Sequence, residues 1–123
     1  NIDAIDLNRN ITNEVVNQQI QEEKSDFIDH YVDYIDEHLY DIFLKDRDRA
    51  IADSINELFR NRVDLYSYNK KALYILIRER TGVDTQYITK VINKMKSIYG
   101  ELYYVYNQNG FLSMNYELKE EHG

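Results

Sequence analysis

The chain contains no cysteine, which excludes disulfides and thiolate metal sites and fits a reducing cytoplasm. No apolar run approaches the ~20 residues of a membrane span, and no secretory signal is visible. Proline is absent, and neither proline nor glycine interrupts residues 25–62. No glycine-rich loop is present to cradle a phosphate. With no cysteine and no serine nucleophile motif, nucleophilic catalysis lacks a candidate. Carboxylates are plentiful, but nothing marks a pocket that would shift one of them. These absences argue against an enzyme and imply no cofactor.

What remains is one domain's worth of chain, 123 residues with 43% hydrophobic side chains, enough for a real core. Twelve tyrosines, with frequent asparagine and isoleucine, suggest an AT-rich genome such as that of a phage or plasmid. The chain starts at Asn1 and not at methionine, as a trimmed or excised product would. Net charge is −7, which on average disfavours nucleic acid, but the charge is unevenly spread. Residues 1–66 carry sixteen acids and seven bases, and residues 100–123 four acids and one lysine. Residues 67–99 carry seven bases against two acids.

That basic stretch contains Ile77–Ile98, IRERTGVDTQYITKVINKMKSI. Gly82 permits the positive φ of a tight inter-helix turn, and Asp84 is a good N-cap for the next helix. Ile88, Val91, Ile92, Met95 and Tyr99 then recur at helical spacing. Gln86, Lys90, Asn93 and Ser97 gather on the opposite side, flanked by Thr89 and Lys94. That face offers amide, hydroxyl and ammonium groups and no acid, the side-chain types that read base edges and hold phosphates.

Taken in order, residues 1–24 form a polar arm with weak helical spacing at Ile11, Val15 and Ile20. Residues 25–45 predict an acidic amphipathic helix, with Ser25 as N-cap. Phe27, Tyr31, Tyr34, Ile35, Leu39, Ile42 and Phe43 lie on its apolar side and Asp26, Asp29, His30, Asp33 and Glu37 on the other. A helix over 46–62 comes next, with Ala50, Ile51, Ile55, Leu58 and Phe59 inward. Asp46 or Asp48 could cap it after a short DRDR corner, and one long bent helix is the competing reading. Val63–Tyr68 alternates as a short strand does. Asn69 caps a helix over 70–81, with Ala72, Leu73, Leu76 and Ile77 inward. The helix over 85–99 ends at Gly100. ELYYVY (101–106) and FLSMNY (111–116) are β-prone and flank Asn109-Gly110, a strong hairpin signal. Tyr104, Leu112 and Met114 of that hairpin are candidates to close the core. Residues 117–123 form a charged, loose tail.

Helix, short strand, helix, tight turn, helix and hairpin, over 46–116, resembles the winged-helix branch of the helix-turn-helix family. The most specific piece is Gly82-Val83-Asp84, with Ile88 and Val91 six and nine residues after the glycine. One position departs from the pattern: four residues before the glycine the family usually has a small side chain, where this chain has Arg78. A wider turn is the expected consequence. The resemblance implies a mainly α fold with a small β-hairpin (α+β), here preceded by the acidic amphipathic helix. It also implies sequence-specific binding of double-stranded DNA, with the helix over 85–99 in the major groove. Gln86, Thr89 and Asn93 would meet base edges, Lys90 and Lys94 phosphates, and Thr85 a phosphate at the helix N-terminus. Lys70 and Lys71 would add to the basic patch, and Asn107 and Asn109 would form an uncharged wing tip, which brings no counterion-release affinity. Weak binding by one subunit makes a homodimer the expectation, and transcriptional regulation or replication or partition control the role.

Two other readings attach to the acidic helix. His30 beside Asp26, Asp33 and Glu37 has metal-ligand types, but a solvated face is far more common, and no metal is expected. The carboxylates along 25–45 could instead meet a basic protein surface, making the chain a protein-interaction module.

Overall fold

Phe27, Tyr31, Tyr34 and Ile35 fall on one side of a helix, and the structure buries all four. The computed structural model describes residues 24–62, 69–119 and 121–123. Within these residues all regular structure is helical: α1 (24–37), α2 (Leu39–Ile42), α3 (Asp46–Arg60), α4 (Lys70–Thr81) and α5 (Thr85–Asn109). The strand expected over Val63–Tyr68 and the arm over 1–23 lie outside the described residues.

The acidic helix is shorter than its sequence spacing suggests. Residue 24 is already helical, so Ser25 is not an N-cap. Its hydroxyl instead accepts from Arg62, 3.1 Å from Nε. The chain turns at His38 and again at extended Phe43, so the stretch expected as one helix over 25–45 is two. This also settles the joint with α3: the break falls at Phe43–Lys45, and DRDR forms the first turn of α3. There Asp46 and Asp48 complement the helix dipole.

α3 buries Ile51, Ala52, Ile55 and Leu58 as its apolar spacing requires, whereas Ala50 is exposed. It also buries Asn56, whose amide donates to the Val32 carbonyl (3.3 Å) and to Asp36 (3.0 Å). Asp36 in turn pairs with Arg60, and Arg62 reaches Asp29 at 3.1 Å. α1 and α3 are thus joined by an apolar seam with a polar strip along it.

The largest departure from expectation concerns residues 100–116. Gly100 does not end the helix, and no hairpin follows. α5 runs unbroken through ELYYVY to Asn109, and Gly110, at φ 78°, is its left-handed C-cap, with its N–H 2.7 Å from the Tyr106 carbonyl. The α+β class and the winged helix are therefore both corrected to an all-helical arrangement among the described residues. The cause is long-range. Phe27 meets the edges of Tyr99 and Tyr103 at ring-centroid distances of 5.0 Å each, and Tyr106 lies 5.3 Å away. Tyr99, Leu102, Tyr103 and Tyr106 share a face only in a helix. Burying Leu102 and half-burying three tyrosines against α1 is worth several kcal/mol, at roughly 25 cal/mol per Å2 of apolar surface. The β propensity of the segment spans only about 1 kcal/mol per residue and depends on context. Asn-Gly serves as well after a helix as in a hairpin, because both sites need a positive φ.

Beyond Gly110 the chain folds back along α5. Leu112 is buried and Met114 half-buried, as expected of core candidates, but Tyr104 is 66% exposed. Tyr34 donates its hydroxyl to the Tyr116 carbonyl (2.6 Å), and His38 Nε2 lies 2.6 Å from the Met114 carbonyl oxygen. The tail expected to be loose is tied down as well. Glu101 accepts from the Tyr116 hydroxyl (2.7 Å) and the Lys119 N–H (2.8 Å). His122 bridges Glu101 (3.0 Å) and Ser97 (2.6 Å).

Candidate nucleic-acid interface

The α4–turn–α5 unit forms as its local signals predict. Asn69 caps α4 by accepting from the Ala72 N–H at 2.8 Å. Gly82 closes the helix at φ 68°, a region unfavourable to side chains with a Cβ. Thr81 braces the turn, donating to the Ile77 carbonyl (2.8 Å) and accepting from the Val83 N–H (3.3 Å). Asp84 occupies the N-cap position of α5 with extended backbone, but its side chain makes no capping bond.

α4 lies back along the first half of α5. Tyr74 and Thr89 are joined hydroxyl to hydroxyl at 3.0 Å, and Lys70 lines the same cleft as Asn93 and Lys96. This makes the pair a helical hairpin. Ile88, Val91, Met95, Ile98 and Leu102 form the buried side of α5, and Gln86, Lys90, Asn93, Lys96 and Ser97 are exposed opposite them.

The ten residues expected to contact DNA divide into three groups. Lys70, Lys71, Thr85, Gln86, Lys90 and Asn93 are all exposed on the hairpin. Thr89 and Lys94 are engaged within the fold. The Thr89 hydroxyl donates to the Thr85 carbonyl at 3.1 Å while meeting Tyr74. The Lys94 ammonium donates to the Ile42 carbonyl at 2.8 Å and sits 5.3 Å above the Phe43 ring. Asn107 and Asn109 make no wing tip. They sit at the far end of α5, about 30 Å from Gln86 at 1.5 Å per residue.

The electrostatic surroundings of α5 are asymmetric. On the α4 side, the cleft shared by Lys70 and Lys96 has no acidic lining residue. On the α2 side, Lys90 and Lys94 share a groove with Asp41 and Asp48. The basic patch therefore leans toward α4. Two cations beside α5 are not evident from sequence as lying there. Lys96 belongs to the basic stretch but not to the face expected to meet DNA. Arg47, distant in sequence, stacks its guanidinium 3.7 Å from the centroid of the Tyr87 ring; no local pattern announces that pairing. The acidic face of α1 is open as expected, with Asp26, Asp29, His30, Asp33 and Glu37 exposed. No group of three or more metal-ligating side chains occurs among the described residues.

No helix among the described residues is long and apolar enough to cross a membrane. Comparison with protein-family models, with curated proteins and with solved structures finds no match to this chain.

Proposed function

We propose that the chain binds double-stranded DNA through the outer face of the α4–α5 hairpin. One observation carries this reading: Gln86, Lys90, Asn93 and Lys96 are exposed along successive turns of α5, and Asn93 and Lys96 line with Lys70 a cleft that holds no acid, while Asp41 and Asp48 lie only on the Lys90 side. Gln86 and Asn93 offer the paired donor and acceptor that suit an adenine edge, and the lysines offer point charges to phosphates. Few cations face the duplex and the net charge is −7, so one copy binds weakly. Two copies on paired half-sites supply the affinity. Control of transcription, replication or partition is the role such binding fits.

The test is anisotropy of labelled duplexes titrated with the full chain over a range of salt. Lys90→Ala combined with Lys96→Ala should weaken binding to every sequence and lower the salt slope by about 0.9 for each phosphate no longer neutralised. Asn93→Ala should cost about 1–3 kcal/mol on preferred sites and little elsewhere. Absence of measurable affinity at low salt would sink the reading.

A second reading rests on α1, where Asp26, Asp33 and Glu37 are exposed, and makes that face a site for a basic protein surface. Reversing these three charges would abolish partner capture while leaving duplex affinity untouched; the opposite pattern removes this reading.

A further inference from the structure

Between α3, α4 and α5 lies a cleft of about 330 Å3. Its deepest side chains are Tyr31, Ile77 and Met95, all buried, with Leu73 and Ile92 half-buried above them. A different chemistry surrounds the mouth, where Lys70, Asn93 and Lys96 are exposed. The Tyr31 hydroxyl, the polar atom at depth, already donates to the Met95 carbonyl at 2.8 Å. Tyr74 and Thr89 likewise satisfy each other at 3.0 Å. The interior thus asks for nothing polar, while the mouth offers two ammonium groups and one carboxamide.

Charge selects the occupant. The chain carries twenty-two acids, yet none lines this cleft. A cation or a neutral polar molecule gains nothing at such a mouth, and a fully apolar one leaves both ammonium groups unanswered. Size narrows the class further. At roughly 30 Å3 per water-sized group, the space holds about ten non-hydrogen atoms, the small end of ligand sites. We propose that the cleft binds a monoanionic amphiphile of the medium-chain carboxylate class. Its tail lies against Tyr31 and Met95, and its carboxylate lies between Lys70 and Lys96.

This proposal does not rest on the DNA reading, and its test reads the cleft directly. The full chain, labelled at isoleucine, leucine and methionine methyls, is titrated with decanoate below its micellar concentration and followed by NMR. Saturable shifts are expected at Leu73, Ile77, Ile92 and Met95. Decanol should bind at least about fivefold more weakly, the value of one or two partly screened ion pairs, and decyltrimethylammonium should show no saturation. Lys70→Met with Lys96→Met, at exposed positions that leave the core intact, should erase the advantage of decanoate over decanol. Leu73→Trp should block both decanoate and decanol, with urea unfolding confirming that the variant is folded. Failure of decanoate to saturate, shifts centred elsewhere, or equal affinity for all three amphiphiles would each overturn the proposal.

Discussion

The ammonium of Lys94 lies 2.8 Å from the main-chain carbonyl oxygen of Ile42, the last residue of α2. A four-residue helix has carbonyls without intrahelical partners, and this lysine satisfies one of them while stacking on Phe43. Lys94 therefore holds the α2 corner against α5, although four residues earlier Lys90 is exposed to solvent. Lys94→Ala should lower unfolding free energy by about 1–2 kcal/mol, the value of a charge-assisted hydrogen bond. Lys90→Ala should leave stability within about 0.5 kcal/mol and act on the salt dependence of duplex binding instead. Urea melts of the two variants separate these roles, and equal melts would contradict the assignment.

Alkali should unfold the protein in a way traceable to one side chain. Burial raises the pKa of Tyr31 well above the tyrosine range, and nearby Tyr99 raises it further. Above about pH 10 the unfolded chain releases this proton while the folded chain keeps it. Fewer protons on the unfolded state mean that stability falls as pH rises, by about 1.4 kcal/mol per pH unit from this group alone. Below about pH 10 the contribution is flat. Tyr31→Phe should cost about 1 kcal/mol at neutral pH through loss of the bond to Met95. It should also make the decline above about pH 10 shallower, a change that melts at roughly pH 8 to 11 would reveal. Tyr34 and Tyr99 are raised in the same direction by their burial, so the slope should not vanish.

Local signals and long-range ones differ in how far they can be read from sequence. Asn69 and Gly82 act on backbone within three or four residues of themselves, and both act as their identities suggest. The exposed strip of Gln86, Lys90 and Asn93 is equally legible, because helical periodicity alone puts it opposite Ile88 and Val91. The fate of residues 101–109 is not. ELYYVY satisfies either period, and the choice lies with Phe27, more than seventy residues earlier, which packs on Tyr99, Tyr103 and Tyr106. Lys94 looks like a phosphate ligand for a similar reason. Nothing near it in sequence reveals that Ile42 presents an open carbonyl beside it.

The two glycines of α5 turn that ambiguity into an experiment. Gly100 lies inside the helix, its φ is not positive, and an added Cβ there meets nothing within 4 Å. Gly100→Ala should stabilise by about 0.5–1 kcal/mol and increase helical ellipticity. Gly110 holds φ 78° at the helix end. Gly110→Ala should destabilise by about 1–2 kcal/mol, the cost of left-handed backbone for a residue with a Cβ. A hairpin would make Gly100→Ala neutral or harmful, so a gain in helicity at that position decides between helix and hairpin.

Glu101 gathers the returning chain onto α5 through the Tyr116 hydroxyl, the Lys119 N–H and His122. Its side chain is 7% exposed and that of His122 is 3% exposed, so removing the carboxylate takes a charged acceptor away from the buried His122 ring and from the Tyr116 hydroxyl. Glu101→Ala should therefore cost about 2–3 kcal/mol and release residues 113–123 ahead of the helices. Amide exchange along 113–119 should rise by orders of magnitude while that of Val91 and Met95 follows only the global loss. His122→Ala removes one of these contacts and should free the tail while costing less than half as much. Uniform acceleration of exchange across the whole chain in both variants would mean that the tail and bundle form one cooperative unit, contrary to a latch closed on Glu101.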